Sequence, residues 1–166
     1  MPSKQEVIVL IGPMGVGKTT IGKKLAKLLA VDFTDTDALF TAKYGAIEKF
    51  FAQHSEAEFR VLETEALKEA ISKPGIVATG GGAVLAKESQ AELAKATVVY
   101  LSTDGKHIAS RLVHGSRPLL KNGIADWRRI YDARKSTYES IADFTVDTSN
   151  VPLATTIAQI RERLGR

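Results

Sequence analysis

The sequence contains no cysteine and only a few histidines. Without cysteine the chain can have neither a disulfide framework nor a thiolate metal site. The three histidines, His54, His107 and His114, are too widely separated to suggest a zinc site. Any metal ion is therefore expected to be a hard ion bound through oxygen, such as Mg²⁺.

Long apolar runs are also absent. No segment approaches the length needed to span a bilayer, and residues 1–6 lack the apolar stretch of a signal peptide. We therefore expect a cytoplasmic protein with no membrane partner. The length of 166 residues suits a single domain, covering residues 1–166, that is large enough to bury a proper core.

The positive charge of the chain is not concentrated in one place. The net charge is +4 and the isoelectric point is near 9.3. The basic residues are dispersed, and no basic run with interleaved aromatic residues occurs. This pattern favours small anionic ligands over nucleic acid, and we expect a monomer.

One segment carries a specific chemical signature. Residues 12–19 fit G-x-x-x-x-G-K-[ST], with an apolar run before them and a helical pattern after them. The glycines let backbone N–H groups turn toward one anion, Lys18 reaches the outer phosphates, and the Thr19 hydroxyl is available to Mg²⁺. The alternative is a simple glycine-rich turn. The flanking strand and helix favour a site for a nucleoside triphosphate.

Strand and helix patterns alternate along the rest of the chain. Apolar strands are predicted at residues 6–11, 31–33, 76–79, 97–101 and 144–147. Helical patterns lie between them, including residues 38–51, 104–113 and 125–142, and Pro152 opens a closing helix. This order predicts an α/β fold with a five-stranded parallel sheet covered by helices on both faces.

Two aspartates follow the second predicted strand. Asp35 and Asp37 lie where ligands gather in open α/β sheets, and their spacing lets one carboxylate face Mg²⁺ while the other faces a second substrate. The alternative is that they cap the following helix. Local sequence leaves both interpretations open.

A glycine triplet and an arginine are further candidates for the site. Gly80, Gly81 and Gly82 follow a strand, which predicts either a tight turn or backbone close to a ligand. Arg60 and Glu63 are helical neighbours, so the glutamate can orient the guanidinium toward a carboxylate. An ordinary surface ion pair is the alternative.

Together these motifs resemble one family. The sequence has G-x-x-G-x-G-K-T-T, D-T-D, E-x-x-F-R-x-x-E, G-G-G and R-P-L-L in order, followed by Arg134. This conjunction resembles the shikimate kinases from about residue 7 to residue 160. The resemblance implies a three-layer αβα P-loop fold with a shikimate-binding region near residues 32–63 and a mobile lid near residues 112–124.

The resemblance also implies an activity and a set of roles. The activity is transfer of the γ-phosphate of ATP to the 3-hydroxyl of shikimate, with Mg²⁺, in aromatic amino-acid biosynthesis. Residues 147–150 would lie near the adenine. The implied roles are catalysis by Lys18, Asp37 and Arg117; ATP binding by Gly15, Val16, Gly17, Lys18, Thr19, Thr20, Arg111 and Arg117; shikimate binding by Asp37, Arg60, Gly80, Gly81, Gly82 and Arg134; and metal binding by Thr19 and Asp35.

Other interpretations compete with this one. A gluconate-type kinase shares the P-loop and an anionic polyol substrate, although the D-T-D, F-R and G-G-G motifs argue against it. A non-catalytic nucleotide-binding homologue is the second rival. The aromatic residues Trp127, Tyr131 and Tyr138 recur along one predicted helix and are expected to pack in the core rather than stack on bases.

Overall fold

The structure, a computed structural model, describes residues 2–112 and 122–166. The strands in these ranges are β1 (Val7–Ile11), β2 (Phe33–Asp35), β3 (Gly75–Ala78), β4 (Thr97–Ser102) and β5 (Phe144–Asp147). The helices are α1 (Lys18–Leu29), α2 (Thr36–Tyr44), α3 (Ile47–Gln53), α4 (Glu56–Ile71), α5 (Lys87–Leu93), α6 (Ile108–Leu112), α7 (Ile124–Ile141) and α8 (Leu153–Leu164). Within the described ranges, no helix is both long enough and apolar enough to cross a membrane.

All five strands form one parallel sheet in the order β2-β3-β1-β4-β5. The predicted five-stranded parallel sheet is therefore confirmed. Strand β1 lies at its centre, and every residue of β1 is buried. A strand covered on both faces needs apolar residues at consecutive positions, which is the composition of Val7–Ile11.

Alternate residues of β1 face two different cores. Val7, Val9 and Ile11 belong to a cluster that includes Leu67 of α4 and Trp127 of α7. Residues Ile8 and Leu10 belong to a second cluster, with Leu25 of α1 and Ile160 of α8. Because successive strand side chains point to opposite faces, the sheet separates two helical layers. The predicted αβα arrangement is confirmed.

A third, smaller cluster lies beside the sheet. Phe40 of α2, Phe50 of α3 and Phe59 of α4 are buried together, and the Phe40 ring centroid lies 5.2 Å from that of Phe50 and 5.0 Å from that of Phe59. Aromatic rings at these separations pack favourably. This cluster joins the three helices that follow β2 into one unit.

Two helix predictions differ from the structure. The sequence predicts helical structure from Ala38 through Phe51, but Gly45, with φ 82° and ψ −170°, separates α2 from α3. The predicted helix at residues 104–113 begins only at Ile108 within the described residues. There the Asp104 carboxylate accepts the N–H of Lys106 at 2.9 Å, and this local turn replaces the first helical turn.

Gly75 marks a close backbone approach between β2 and β3. Its φ is +142°, and its N–H donates to the carbonyl of Glu6 at 3.0 Å. A Cβ at this position would lie 2.5 Å from the carbonyl oxygen of Asp32. Gly45 also has a positive φ, but a Cβ there would meet no atom within 4 Å. A substitution at either glycine would therefore strain the backbone, but only one at Gly75 would also cause a steric clash.

We expect Gly75→Ala to lower the free energy of unfolding more than Gly45→Ala does. Both changes place a Cβ on backbone that only glycine adopts readily, at about 1–3 kcal/mol. Only Gly75→Ala adds a clash with a neighbouring strand, which costs about 1–3 kcal/mol more. Denaturant titration followed by circular dichroism measures both values. Equal losses would contradict the tight approach of β2 and β3.

Candidate active site

A cleft lies at the carboxyl ends of β2, β3 and β1, which are adjacent in the sheet. Its volume is about 620 Å³. Parallel strands end at the same edge, so the loops that follow them meet there. The residues predicted for the site that line this cleft are Gly15, Gly17, Lys18, Thr19, Thr20, Asp35, Asp37, Arg60, Gly80, Gly81, Gly82, Arg111 and Arg134.

Three predicted features are not among the described residues that line the cleft. Val16 is 2% exposed and belongs to the core beneath the glycine loop. Arg117 and most of the expected lid, residues 113–121, lie outside the residues that the structure describes. Residues 147–150 do not line the cleft; the N–H of Asp104 donates to the Ser149 hydroxyl at 2.8 Å, so this segment packs beyond β4.

The glycine loop connects β1 directly to α1. Gly15 and Gly17 have φ values of 78° and 108°, which residues with a Cβ rarely adopt. Gly17 is the N-terminal cap of α1, so the first amides of this helix have no intrahelical acceptors. Amides without intrahelical acceptors and the positive end of the helix dipole lie at one point, which suits the binding of an anion.

The carbonyl groups of the same loop accept four hydrogen bonds from three side chains. Lys18 Nζ donates to the carbonyls of Gly12 at 2.6 Å and Pro13 at 2.8 Å. Trp127 Nε1 donates to Met14 O at 2.7 Å, and an Arg111 guanidinium nitrogen donates to Gly15 O at 2.7 Å. These contacts hold four consecutive carbonyls in place.

Thr19 and Asp35 meet at the edge of the cleft. The Thr19 hydroxyl donates to Asp35 Oδ2 at 2.8 Å, while Asp35 Oδ1 accepts the N–H groups of Asp37 at 2.9 Å and Ala38 at 3.4 Å. Asp35 therefore caps α2 and also faces the glycine loop. A hydroxyl and a carboxylate are hard oxygen donors that fit Mg²⁺. Among the described residues, no group of three or more His, Cys, Asp or Glu side chains could hold a metal.

Two carboxylates converge on the glycine triplet. A Cβ on Gly80 would lie 2.9 Å from Asp37 Oδ1 and 3.0 Å from Glu63 Oε2. Glu63 is 4% exposed. This burial raises the pKa of its carboxyl above the ordinary value, although the charge of Arg60 opposes the shift. A side chain at this position would displace these carboxylates.

Arg60 lies against the same triplet. Its guanidinium donates to Glu63 Oε1 at 2.9 Å and to Glu56 Oε1 at 3.1 Å. Its side chain is 14% exposed, and a Cβ on Gly82 would lie 2.5 Å from the guanidinium carbon. The predicted pairing of Arg60 with Glu63 is confirmed, and Arg60 is mostly buried rather than part of an exposed surface pair.

Arg134 reaches the cleft from α7. It is 7% exposed, and a Cβ on Gly81 would lie 3.5 Å from one of its guanidinium nitrogens. The Tyr138 hydroxyl donates to the carbonyl of Gly81, and burial raises the pKa of Tyr138 to about 12. Two guanidinium groups from different helices therefore lie beside consecutive glycines.

Several cleft residues were not singled out from the sequence. They come from the helices after β2, namely Thr41, Ala46, Ile47, Glu48 and Phe51. No local motif marks them, because their place depends on how α2 and α3 pack around the phenylalanine cluster.

The expected packing of Trp127, Tyr131 and Tyr138 is confirmed by their burial, but the hydrogen bonds of Trp127 and Tyr138 to the two loops were not predicted.

Comparison with known proteins gives a consistent result. The shikimate kinase family model matches residues 14–165. The chain is 43% identical to a shikimate kinase of Streptomyces coelicolor over 146 residues, 86% of this chain and 85% of the relative. It is 41% identical to a shikimate kinase of Neisseria gonorrhoeae over 96% of each chain.

A solved structure also matches closely. Shikimate kinase from Acinetobacter baumannii, in complex with shikimate, superposes with a TM-score of 0.90 and 35% identity over 96% of this chain and 93% of that chain. The fold, the family match over most of the chain and the identity to several relatives agree. The chain belongs to the shikimate kinase family.

Proposed function

We propose that the protein transfers the γ-phosphate of ATP to the 3-hydroxyl of shikimate. The observation that carries this proposal is the meeting of Arg60, Arg134 and Asp37 at the glycine triplet, in the same cleft as the phosphate-binding loop. A phosphate cradle alone supports many kinases. A second subsite with two guanidinium groups and a carboxylate favours an acceptor that is both anionic and hydroxylated.

The chemistry of shikimate matches this subsite. Shikimate has one carboxylate and three hydroxyls. A guanidinium binds a carboxylate through paired, charge-assisted hydrogen bonds, which suits Arg60 and Arg134. Asp37 accepts hydrogen bonds from hydroxyls, and the glycine triplet offers backbone groups without side chains in the way. The D-T-D, F-R and G-G-G motifs argue against a gluconate-type kinase.

The nucleotide side uses the glycine loop. We assign the β- and γ-phosphates to the backbone amides of residues 15–20 and to the ammonium of Lys18, with Arg111 beside the loop. Thr19 and Asp35 would hold Mg²⁺. When bound, Mg²⁺ would neutralise negative charge on the phosphates.

Transfer requires one bond to form and one to break. The 3-hydroxyl oxygen forms a bond to the γ-phosphorus, the bond from that phosphorus to the β,γ-bridging oxygen breaks, and ADP leaves. Asp37 accepts a hydrogen bond from the attacking hydroxyl and can take its proton. A loose phosphoryl-transfer transition state depends mainly on positioning and charge neutralisation, so Asp37 acts first as a positioner. Lys18 and, by family resemblance, Arg117 would neutralise the transferring group.

The proposed organisation is a single domain over residues 1–166. Residues 32–63, which contain α2, α3 and the first half of α4, would form the shikimate-binding region around the phenylalanine cluster. Residues 112–124 would act as a lid that excludes water during transfer. The residues assigned to both substrates belong to one chain, so the proposed reaction needs no second copy, and a cytoplasmic monomer is part of the proposal.

The proposed reaction is tested by measuring ADP release from ATP with purified protein. We expect release that requires both shikimate and Mg²⁺, with none when EDTA removes the metal. Gluconate and a reaction without acceptor are the controls. Release with gluconate would indicate the rival kinase, and no release with either acceptor would indicate a non-catalytic nucleotide-binding protein.

Arg134→Gln and Arg60→Gln should raise the KM for shikimate by about ten- to hundredfold each, because each removes charge-assisted hydrogen bonds to the carboxylate. ATP affinity measured by calorimetry should stay unchanged. Arg129→Gln is the matched control, since Arg129 lies on the same helix with a side chain that is 69% exposed. An unchanged KM for shikimate in both cleft variants would refute the carboxylate assignment.

Asp37→Asn should lower kcat by about a hundredfold or more, because an uncharged amide positions the attacking hydroxyl through a weaker hydrogen bond and cannot take its proton. The fold should survive, since the oxygen that caps α2 belongs to Asp35. Steady-state kinetics and thermal unfolding measure the two effects. Asp32→Asn makes the same chemical change at an exposed position outside the cleft and should leave kcat unaltered. An unfolded Asp37→Asn protein would instead give Asp37 a structural role.

A further inference from the structure

We propose that Trp127 and Tyr138 are positioning residues, each of which holds one substrate-binding loop through a hydrogen bond to a loop carbonyl. Trp127 holds the glycine loop that binds ATP, and Tyr138 holds the glycine triplet that binds shikimate. This inference rests on the proposed function for the identity of the two ligands. The hydrogen bonds themselves join α7 to both halves of the cleft.

Both residues belong to one face of α7. Residues Trp127, Tyr131, Arg134 and Tyr138 follow the spacing i, i+4, i+7 and i+11, which brings them onto the same side of a helix. All four are buried. The helix therefore presents, in order along its axis, a contact to the glycine loop, a contact to β4, a cleft arginine and a contact to the glycine triplet.

Trp127 controls the orientation of one peptide in the glycine loop. Its indole N–H donates to the carbonyl of Met14 at 2.7 Å. In a planar trans peptide the C=O and the following N–H point in opposite directions. Holding the Met14 carbonyl toward the core therefore turns the N–H of Gly15 away from α7. Without the indole, this carbonyl would lose its partner, and the peptide could rotate toward another donor.

Tyr138 has the same relation to the glycine triplet. Its hydroxyl donates to the carbonyl of Gly81, so the N–H of Gly82 is directed the opposite way. The Arg60 guanidinium lies directly against Gly82. A rotation of the Gly81 peptide would move both a backbone donor and the surface that supports Arg60. The carbonyls of Gly80 and Gly82 accept backbone N–H groups, whereas that of Gly81 accepts the Tyr138 hydroxyl. Glycine has no side chain to resist rotation of this peptide, so the bond from Tyr138 restrains it.

Neither side chain is part of the cleft wall. Trp127 and Tyr138 are each 1% exposed and do not line the cleft, so they act through the groups that they hold and not on the substrates. Besides the Gly81 carbonyl, the Tyr138 hydroxyl also interacts with the Arg134 guanidinium on the shikimate side of the cleft.

Tyr131 is the matched comparison on the same face. It is 2% exposed, but its hydroxyl contacts the Tyr100 hydroxyl at 2.6 Å and accepts the N–H of Thr103 at 3.3 Å. Tyr131 therefore packs equally well without holding either substrate loop.

The experiment compares Trp127→Phe, Tyr138→Phe and Tyr131→Phe in full-length protein. We expect Trp127→Phe to raise the KM for ATP by about three- to tenfold with little change in the KM for shikimate, as expected for the loss of one hydrogen bond. Tyr138→Phe should raise the KM for shikimate by a similar factor and spare that for ATP. Tyr131→Phe should leave both KM values unchanged, whatever its effect on the thermal midpoint.

Calorimetric binding of a non-hydrolysable ATP analogue provides a readout that does not depend on phosphoryl transfer. If the unsubstituted protein does not phosphorylate shikimate, the proposed function fails, while weaker analogue binding by Trp127→Phe would still support the Trp127 assignment. If Trp127→Phe does not fold, the test rests on the KM for shikimate of Tyr138→Phe, compared with that of Tyr131→Phe. Parallel shifts of both KM values in all three variants, or no shift in either loop variant, would overturn the proposal.

Discussion

The hydrogen bonds to the carbonyls of the glycine loop after β1 are the interaction on which the site depends, because each fixed carbonyl also fixes the direction of the following N–H. Three helices supply the partners: Lys18 from α1, Arg111 from α6 and Trp127 from α7. A loop rich in glycine has little conformational preference of its own. Its shape is therefore set by the surrounding helices, which in turn pack on the central strands of the sheet.

In the second subsite, charged side chains need partners in the same way as the loop carbonyls do. Arg60, Arg134, Asp37 and Glu63 approach the backbone of three consecutive glycines. Burying such groups is costly unless they are paired, and Arg60 is paired with both Glu63 and Glu56. These pairs hold the guanidinium in one orientation. The ion pairs, and the lack of side chains on the three glycines, together explain how several charged groups fit into a small space beside an open cleft.

Much of the fold was readable from the sequence, and the errors are local. Short apolar runs bounded by turn residues identified the five strands, because a strand covered on both faces is apolar at consecutive positions. The second strand is the exception in its bounds, since it lies at Phe33–Asp35 and not at residues 31–33. The break at Gly45 was missed although glycine is a common helix stop signal; Phe40 of α2 packs against Phe50 of α3 across this turn. Trp127 was understood as a packing residue, but its bond to Met14 joins residues 113 positions apart, and no local pattern records such a contact.

The sequence by itself determined the phosphate-binding loop, the class of fold and the pairing of Arg60 with Glu63, because each depends on residues that are neighbours along the chain or around one helical turn. The tertiary structure alone decided the rest. The strand order places β1 beside β3, and this adjacency brings the glycine loop next to the glycine triplet. Packing of α7 across this edge then carries Arg134 into the cleft and supplies partners to both loops. These contacts join distant segments, so they exist only once the sheet has formed.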